Sequence, residues 1–136
     1  MGIATKADLL GRWRIDRAIE NRAGPDAAFE GEGVFAPVGD DLVWRETGLF
    51  RIAGGNPMPA SRSYIWSFQD DRIVVFYEDG SPFHCVTGPD FNCSHLCGDD
   101  LYRGVYSFSI PESWAVEWTV TGPRKDYFSI SRMISA

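Results

Sequence analysis

About ten short segments of alternating polarity, separated by turn residues at roughly 8–12-residue spacing, leave this chain few folds to choose from. In residues 12–20, Trp13, Ile15, Arg17 and Ile19 fall on one face, and Arg14, Asp16, Ala18 and Glu20 on the other. A repeat of two is the signature of a strand, because successive side chains leave a pleated backbone on opposite sides. The same alternation aligns Phe29, Gly31, Gly33 and Phe35 in residues 29–36. It aligns Leu42, Trp44, Glu46, Gly48, Phe50 and Ile52 in residues 42–52, and Arg62, Tyr64, Trp66 and Phe68 in residues 62–68. Further strands are predicted over 73–78, 82–87, 92–97, 102–108, 114–121 and 127–133, with Gly, Pro, Asn and Asp between them. One helical turn is predicted near the N-terminus, capped by Thr5, with Asp8 opposing the helix dipole and Gly11 ending it. No long helical pattern or crossover interrupts the hairpins, so a parallel α/β sheet is excluded.

Sequential hairpins suit a sandwich or an up-and-down barrel, and a barrel closes its own edges. The distribution of charge favours the barrel. Arg17 shares a face with Trp13, Glu46 lies between Trp44 and Phe50, and Arg62 lies beside Tyr64 and Trp66. Unpaired charges are costly in a sandwich core, whereas a polar cavity inside a barrel has a use for them. The competing arrangement puts these residues at strand ends with their heads in water. Aromatic residues occur on both faces of several strands, so the inward face stays open. Glycines within the strands are expected where the barrel bends or backbones approach closely. The expected architecture is all-β: an up-and-down antiparallel barrel of about ten strands with a short N-terminal helical turn, one domain over residues 1–136.

The chain carries a net charge of −6, with a pI near 4.8. Such a chain repels phosphate backbones and anionic lipid surfaces, so neither nucleic acid nor a membrane is an expected partner. No run approaches the length of a membrane-spanning apolar helix, and no signal-like stretch opens the chain. Three cysteines without such a stretch read as free thiols in a reducing compartment, with the cytoplasm as default. An aromatic outer face would give a homodimer interface.

Three groups of residues have the chemistry of a site. The first is the hairpin with His84, Cys85, Cys93, His95 and Cys97. A four-residue loop, 88–91, would set His84 opposite His95, and a three-residue loop would put them on opposite faces. Two His and two Cys are a zinc-type donor set, but the spacing matches no closed tetrahedral motif, so no metal is assigned. Pocket histidines and structural histidines both remain open readings. The second group is Lys125, Asp126 and Tyr127 after the Gly122-Pro123 turn, either at a barrel mouth or as a surface ion pair. The third sets Tyr102 and Tyr106 on one strand face, with Arg103 on the other, and Arg62 and Tyr64 across the interior. Together Arg17, Glu46, Arg62, Tyr64, His84, His95, Tyr102, Tyr106, Lys125 and Tyr127 form the expected binding set for a small anionic or aromatic molecule. No nucleophile elbow, phosphate-binding glycine loop or dinucleotide fingerprint is present, and no cofactor is expected.

Gly11-Arg12-Trp13 at the start of the first strand resembles the opening motif of lipocalins and their calycin relatives. That resemblance implies that an arginine on the last strand, here Arg132, packs across Trp13 to close the barrel base. Three segments taken together are more specific: Gly11-Arg12-Trp13, the stretch from His95-Leu96-Cys97-Gly98 through Asp100-Leu101-Tyr102 to Tyr106, and Gly122-Pro123-Arg124-Lys125-Asp126-Tyr127. These resemble a bacterial family of single-domain proteins classed as a domain of unknown function. That resemblance spans essentially the whole chain and implies a lipocalin-like barrel without naming an activity. Nitrobindin-type barrels are more distant in shape and hold haem through a His near the C-terminus, which this chain lacks after His95. Some lipocalin-like barrels decarboxylate phenolic acids with Tyr, Arg and Glu. By that analogy a cofactor-free enzyme would use Glu46, Arg62, Tyr64 and His95.

Overall fold

Alternation decides where each strand turns its side chains, and the computed structural model, which describes residues 3–136, follows it around a closed circle. The strands are β1 (Gly11–Asn21), β2 (Ala27–Val38), β3 (Asp41–Ile52), β4 (Met58–Gln69) and β5 (Arg72–Tyr77). They continue with β6 (Pro82–Thr87), β7 (Asn92–Cys97), β8 (Asp100–Ser109), β9 (Ser113–Thr121) and β10 (Asp126–Ser135). Every strand pairs antiparallel with its chain neighbours, and β10 pairs with β1 to close the barrel. The ladders run on past the predicted ends, most of all in β4, where Phe50 pairs with Met58.

The single helical turn, α1 (Lys6–Leu9), carries the expected cap. The Thr5 hydroxyl accepts from the Asp8 amide at 3.3 Å, and the Asp8 carboxylate accepts from the Thr5 amide at 2.9 Å. Its Leu9 is wholly buried, and the Leu9 carbonyl accepts a hydrogen bond from Trp13 Nε1 at 2.8 Å. Lys6 Nζ donates to the Asp40 carbonyl in the β2–β3 turn at 2.8 Å, so α1 is fastened at that end of the barrel.

The inward face is the aromatic one. At the α1 end, Phe35, Trp44, Trp66 and Trp114 interlock, with ring centroids 4.5–5.8 Å apart and mostly edge-to-face. Edge-to-face contact lets the positive ring edge meet the negative face, worth roughly 0.5–1.5 kcal/mol per pair beyond area burial. Glycines provide the room. Gly31 and Gly48 pair directly across β2 and β3, and a Cβ on either would enter the other strand's backbone. A Cβ at Gly33 would land within the Trp44 ring.

Two irregularities shape the other side. Val75 pairs with His84, but Phe76 pairs with Pro82, so Phe83 is an extra residue in β6. This bulge turns Phe83 and His84 both toward the interior, where strict alternation would separate them. The β6–β7 ladder consists of one pair, Thr87 with Asn92, in the register of a four-residue loop. His84 and His95 are not paired across that seam.

Two expectations are corrected. Arg132 pairs with Asp16 and is exposed, because Ser131 and Met133 take the inward positions of β10; the space beside Trp13 holds Trp114 instead. The aromatic outer face does not form. Among the described residues the exposed large apolar side chains are Leu, Val, Ile and Met, with no aromatic among them. No described helix is long and apolar enough to cross a membrane.

Gly33→Ala should destabilise the barrel by about 1–3 kcal/mol through overpacking, as Trp44 is pushed out of its seat. Urea unfolding measures this; a midpoint equal to wild type would show that the ring has somewhere else to go.

Candidate functional site

Above the tryptophan base the interior turns polar, and the change begins at Glu46. Trp44 and Glu46 are two apart on β3 and share its inner face, so Trp44 Nε1 donates to Glu46 Oε2 at 2.9 Å. Arg17 from β1 grips the same carboxylate with both terminal nitrogens, at 3.0 and 2.8 Å, and its Nε donates to Ser131 Oγ at 2.6 Å. Arg62, directly across the β3–β4 ladder from Glu46, donates through Nε at 2.8 Å. The Arg17 and Glu46 side chains are only 10% and 5% exposed, whereas Arg62 is 50% exposed. Burial alone would raise the Glu46 pKa. The Arg17 hydrogen bonds, the charges of Arg62 and Arg17, and the Trp44 hydrogen bond outweigh it and lower the value to about 2. Glu46 is therefore an anion near neutral pH, the form that cannot donate a proton as a general acid.

A cavity of about 250 Å³ opens beside this network, slightly below the roughly 300–1,000 Å³ usual for ligand pockets. All five tyrosines of the chain line it: Tyr64, Tyr77, Tyr102, Tyr106 and Tyr127. So do four of the five tryptophans, Trp44, Trp66, Trp114 and Trp118. Phe83, aimed inward by the bulge, stacks between Tyr77 at 4.6 Å and Trp118 at 5.4 Å. His84 Nε2 and the Tyr106 hydroxyl are 2.8 Å apart. Burial, helped by the nearby His95, lowers the His84 pKa to about 3, so the ring is neutral and one of the pair donates to the other. Burial likewise raises Tyr64, Tyr77, Tyr106 and Tyr127, which stay protonated as hydrogen-bond donors.

Of the ten candidate residues, Arg17, Glu46, Arg62, Tyr64, His84, Tyr102, Tyr106 and Tyr127 line this cavity. The other two stand behind its wall. His95 packs on Phe83, Tyr77 and Tyr102 at centroid distances of 5.4–6.2 Å. Lys125 is exposed, donates to the Tyr102 hydroxyl at 2.9 Å and lies 3.4 Å from the Asp100 carboxylate, so it braces Tyr102 from outside. Tyr77, Phe83 and Trp118 were not singled out from the sequence. Alternation from Val75 would have found Tyr77, and pairing Trp118 with Gly104 needs the register. The bulge that recruits Phe83 has no sequence signal.

The three cysteines are free. Cys93 is tucked against Gly104, and burial pushes its thiol up to about 12, which makes it a packing group. Among the described residues no group of three or more His, Cys, Asp or Glu side chains is placed to hold a metal ion.

Both depressed pKa values make the fold acid-labile. The folded state binds fewer protons than the unfolded state from the ordinary His range down to about 3, and from the ordinary Glu range down to about 2. Stability should therefore fall by on the order of 1–2 kcal/mol between pH 6.5 and pH 5, mostly through His84. In His84→Phe that slope should vanish while the loss below about pH 4.5 persists. An unchanged slope between pH 6.5 and 5, followed by urea unfolding, would place the sensitive group elsewhere.

Comparison with known proteins supplies fold and family. The chain is similar in structure to an S-type phycobiliprotein lyase from Guillardia theta, with a TM-score of 0.67 and 10% identity over 96% of this chain and 90% of that one. It is also similar to a de novo designed fluorescence-activating β-barrel, with a TM-score of 0.51 and 12% identity over 98% and 99% of the two chains. No curated protein matches it in sequence. A family model matches residues 9–134, nearly the whole barrel, and the chain belongs to that family of unknown function, DUF6314.

Proposed function

We propose that this barrel binds a small aromatic anion, such as a carboxylate, with its ring among the tyrosines and tryptophans and its charge on Arg62. The charge balance of the cavity carries the reading. Its charged wall residues are Arg17, Arg62 and Glu46, two cations against one anion, so an acidic protein keeps one uncompensated positive charge inside an aromatic pocket. Arg17 is spent on Glu46 and Ser131. Arg62 uses only Nε, and its two terminal nitrogens make no hydrogen bond to the described residues. A guanidinium presenting two parallel donors matches a carboxylate. The protonated phenols add neutral donors that can donate to a ligand's remaining oxygens. The similar barrels include one named as a phycobiliprotein lyase and one named as fluorescence-activating; at 10–12% identity they lend the shape alone. Three free cysteines fit a reducing compartment, the cytoplasm in this reading.

Four wall tryptophans give the binding a signal of its own. 4-Hydroxybenzoate should quench their fluorescence saturably, and its methyl ester should bind about 10- to 100-fold more weakly. Arg62→Met should weaken the acid by a similar factor and leave the ester unchanged. Equal affinity for acid and ester, or no quenching by either, would overturn the reading.

A further inference from the structure

A second cavity, of about 140 Å³, lies on the other side of the ion network. Its apolar walls are Ile19, Phe29, Phe50 and Ala60, from β1, β2, β3 and β4. Arg17, Ile19, Glu46 and Arg62 line both cavities, so the charged layer is a shared partition. The two chambers differ in chemistry. The first is walled by phenols and indoles from β3, β4, β5, β8, β9 and β10. The second has no phenol or indole; apart from the shared charges, its one polar wall residue is Ser61. Ala60, a short side chain paired with Gly48 across β3 and β4, leaves room on the β4 wall. Phe50 pairs with Met58, and the apolar surface continues to the exposed Met58 and Ile52 at the rim.

We infer that the second chamber takes an apolar chain carried by the same ligand, so that the ligand class is an aromatic acid with an alkyl or aryl substituent next to its acid group, which sits on Arg62 at the partition. The inference rests on the function proposed above. The shared residues select this occupant over an unrelated apolar molecule: an acid group on Arg62 lies at the boundary of both chambers at once. Burying a methylene is favourable by about 0.8 kcal/mol, or about three- to fourfold in affinity. The gain should continue until the chamber is full and then stop.

The experiment is a series of 2-alkylbenzoates, from unsubstituted to hexyl, whose chain leaves the ring beside the acid group and can cross the partition, titrated against the full chain by tryptophan fluorescence. Affinity should rise about three- to fourfold per carbon over the first few carbons and then level off. Ala60→Phe fills the second chamber and should bring the ratio of hexyl to unsubstituted affinity close to one. Phe50→Ala widens the same chamber from a half-buried position and should move the levelling-off to longer chains, which keeps the test decisive if Ala60→Phe does not fold. If benzoate itself does not bind, the proposed function fails. If benzoate binds and the series is flat, the two-chamber inference fails alone. A gain that persists undiminished in folded Ala60→Phe, or a plateau unmoved in Phe50→Ala, places the chain elsewhere and overturns it.

Discussion

The bidentate grip of Arg17 on Glu46 governs the rest of the interior. A buried carboxylate or guanidinium standing alone would be too costly to keep, and breaking such a pair by removing one partner typically costs about 3–5 kcal/mol. Here the pair is nearly complete in its hydrogen bonding: Ser131, Trp44 and Arg62 take up much of what the two side chains leave over. The pair sits midway along the barrel because Arg17 and Glu46 occupy inward positions beyond Trp13, Ile15 and Trp44. Below it, indoles fill the space wall to wall. Around it side chains line the barrel without filling it, and two cavities remain, one on each side of the charged layer.

The same residue types thus do two jobs at two depths. Trp114 and Trp66 stack into the base and also floor the first cavity. Tyr106 touches both levels, stacking on Trp114 while its hydroxyl meets His84. That hydroxyl can serve as donor or acceptor because burial keeps both His84 and Tyr106 neutral. The wall beside them is the least tightly laced part of the barrel, with a bulge in β6 and a single pair joining β6 to β7. Few ladder hydrogen bonds mean low local stability, so this seam is expected to open before the rest of the ladder.

The strand count, the closed antiparallel circle and the N-terminal turn were all legible in the sequence, because alternation and turn chemistry are local signals. Arg17, Glu46 and Arg62 were legible for a related reason: a charge in register with tryptophans has to be paired or solvated. Alternation reports a face and not a depth, which is why His95 was grouped with residues that reach the cavity; Lys125 was placed by the turn before β10, which fixes its position along the chain and not its direction. Both fall in the part of the barrel behind Phe83 and Tyr102. The Phe83 bulge breaks alternation, so no periodic pattern could have announced it. Arg132 was placed by analogy with lipocalins, and its own parity in β10, between Ser131 and Met133, sends it outward.

The most direct measurement is a crystal structure of the full chain with 4-hydroxybenzoate. The carboxylate should lie within hydrogen-bond distance of the Arg62 terminal nitrogens, with the ring among the cavity tyrosines and the Arg17–Glu46 pair undisturbed. A carboxylate bound away from Arg62, or an interior closed by collapsed side chains with the ligand excluded, would contradict this binding mode.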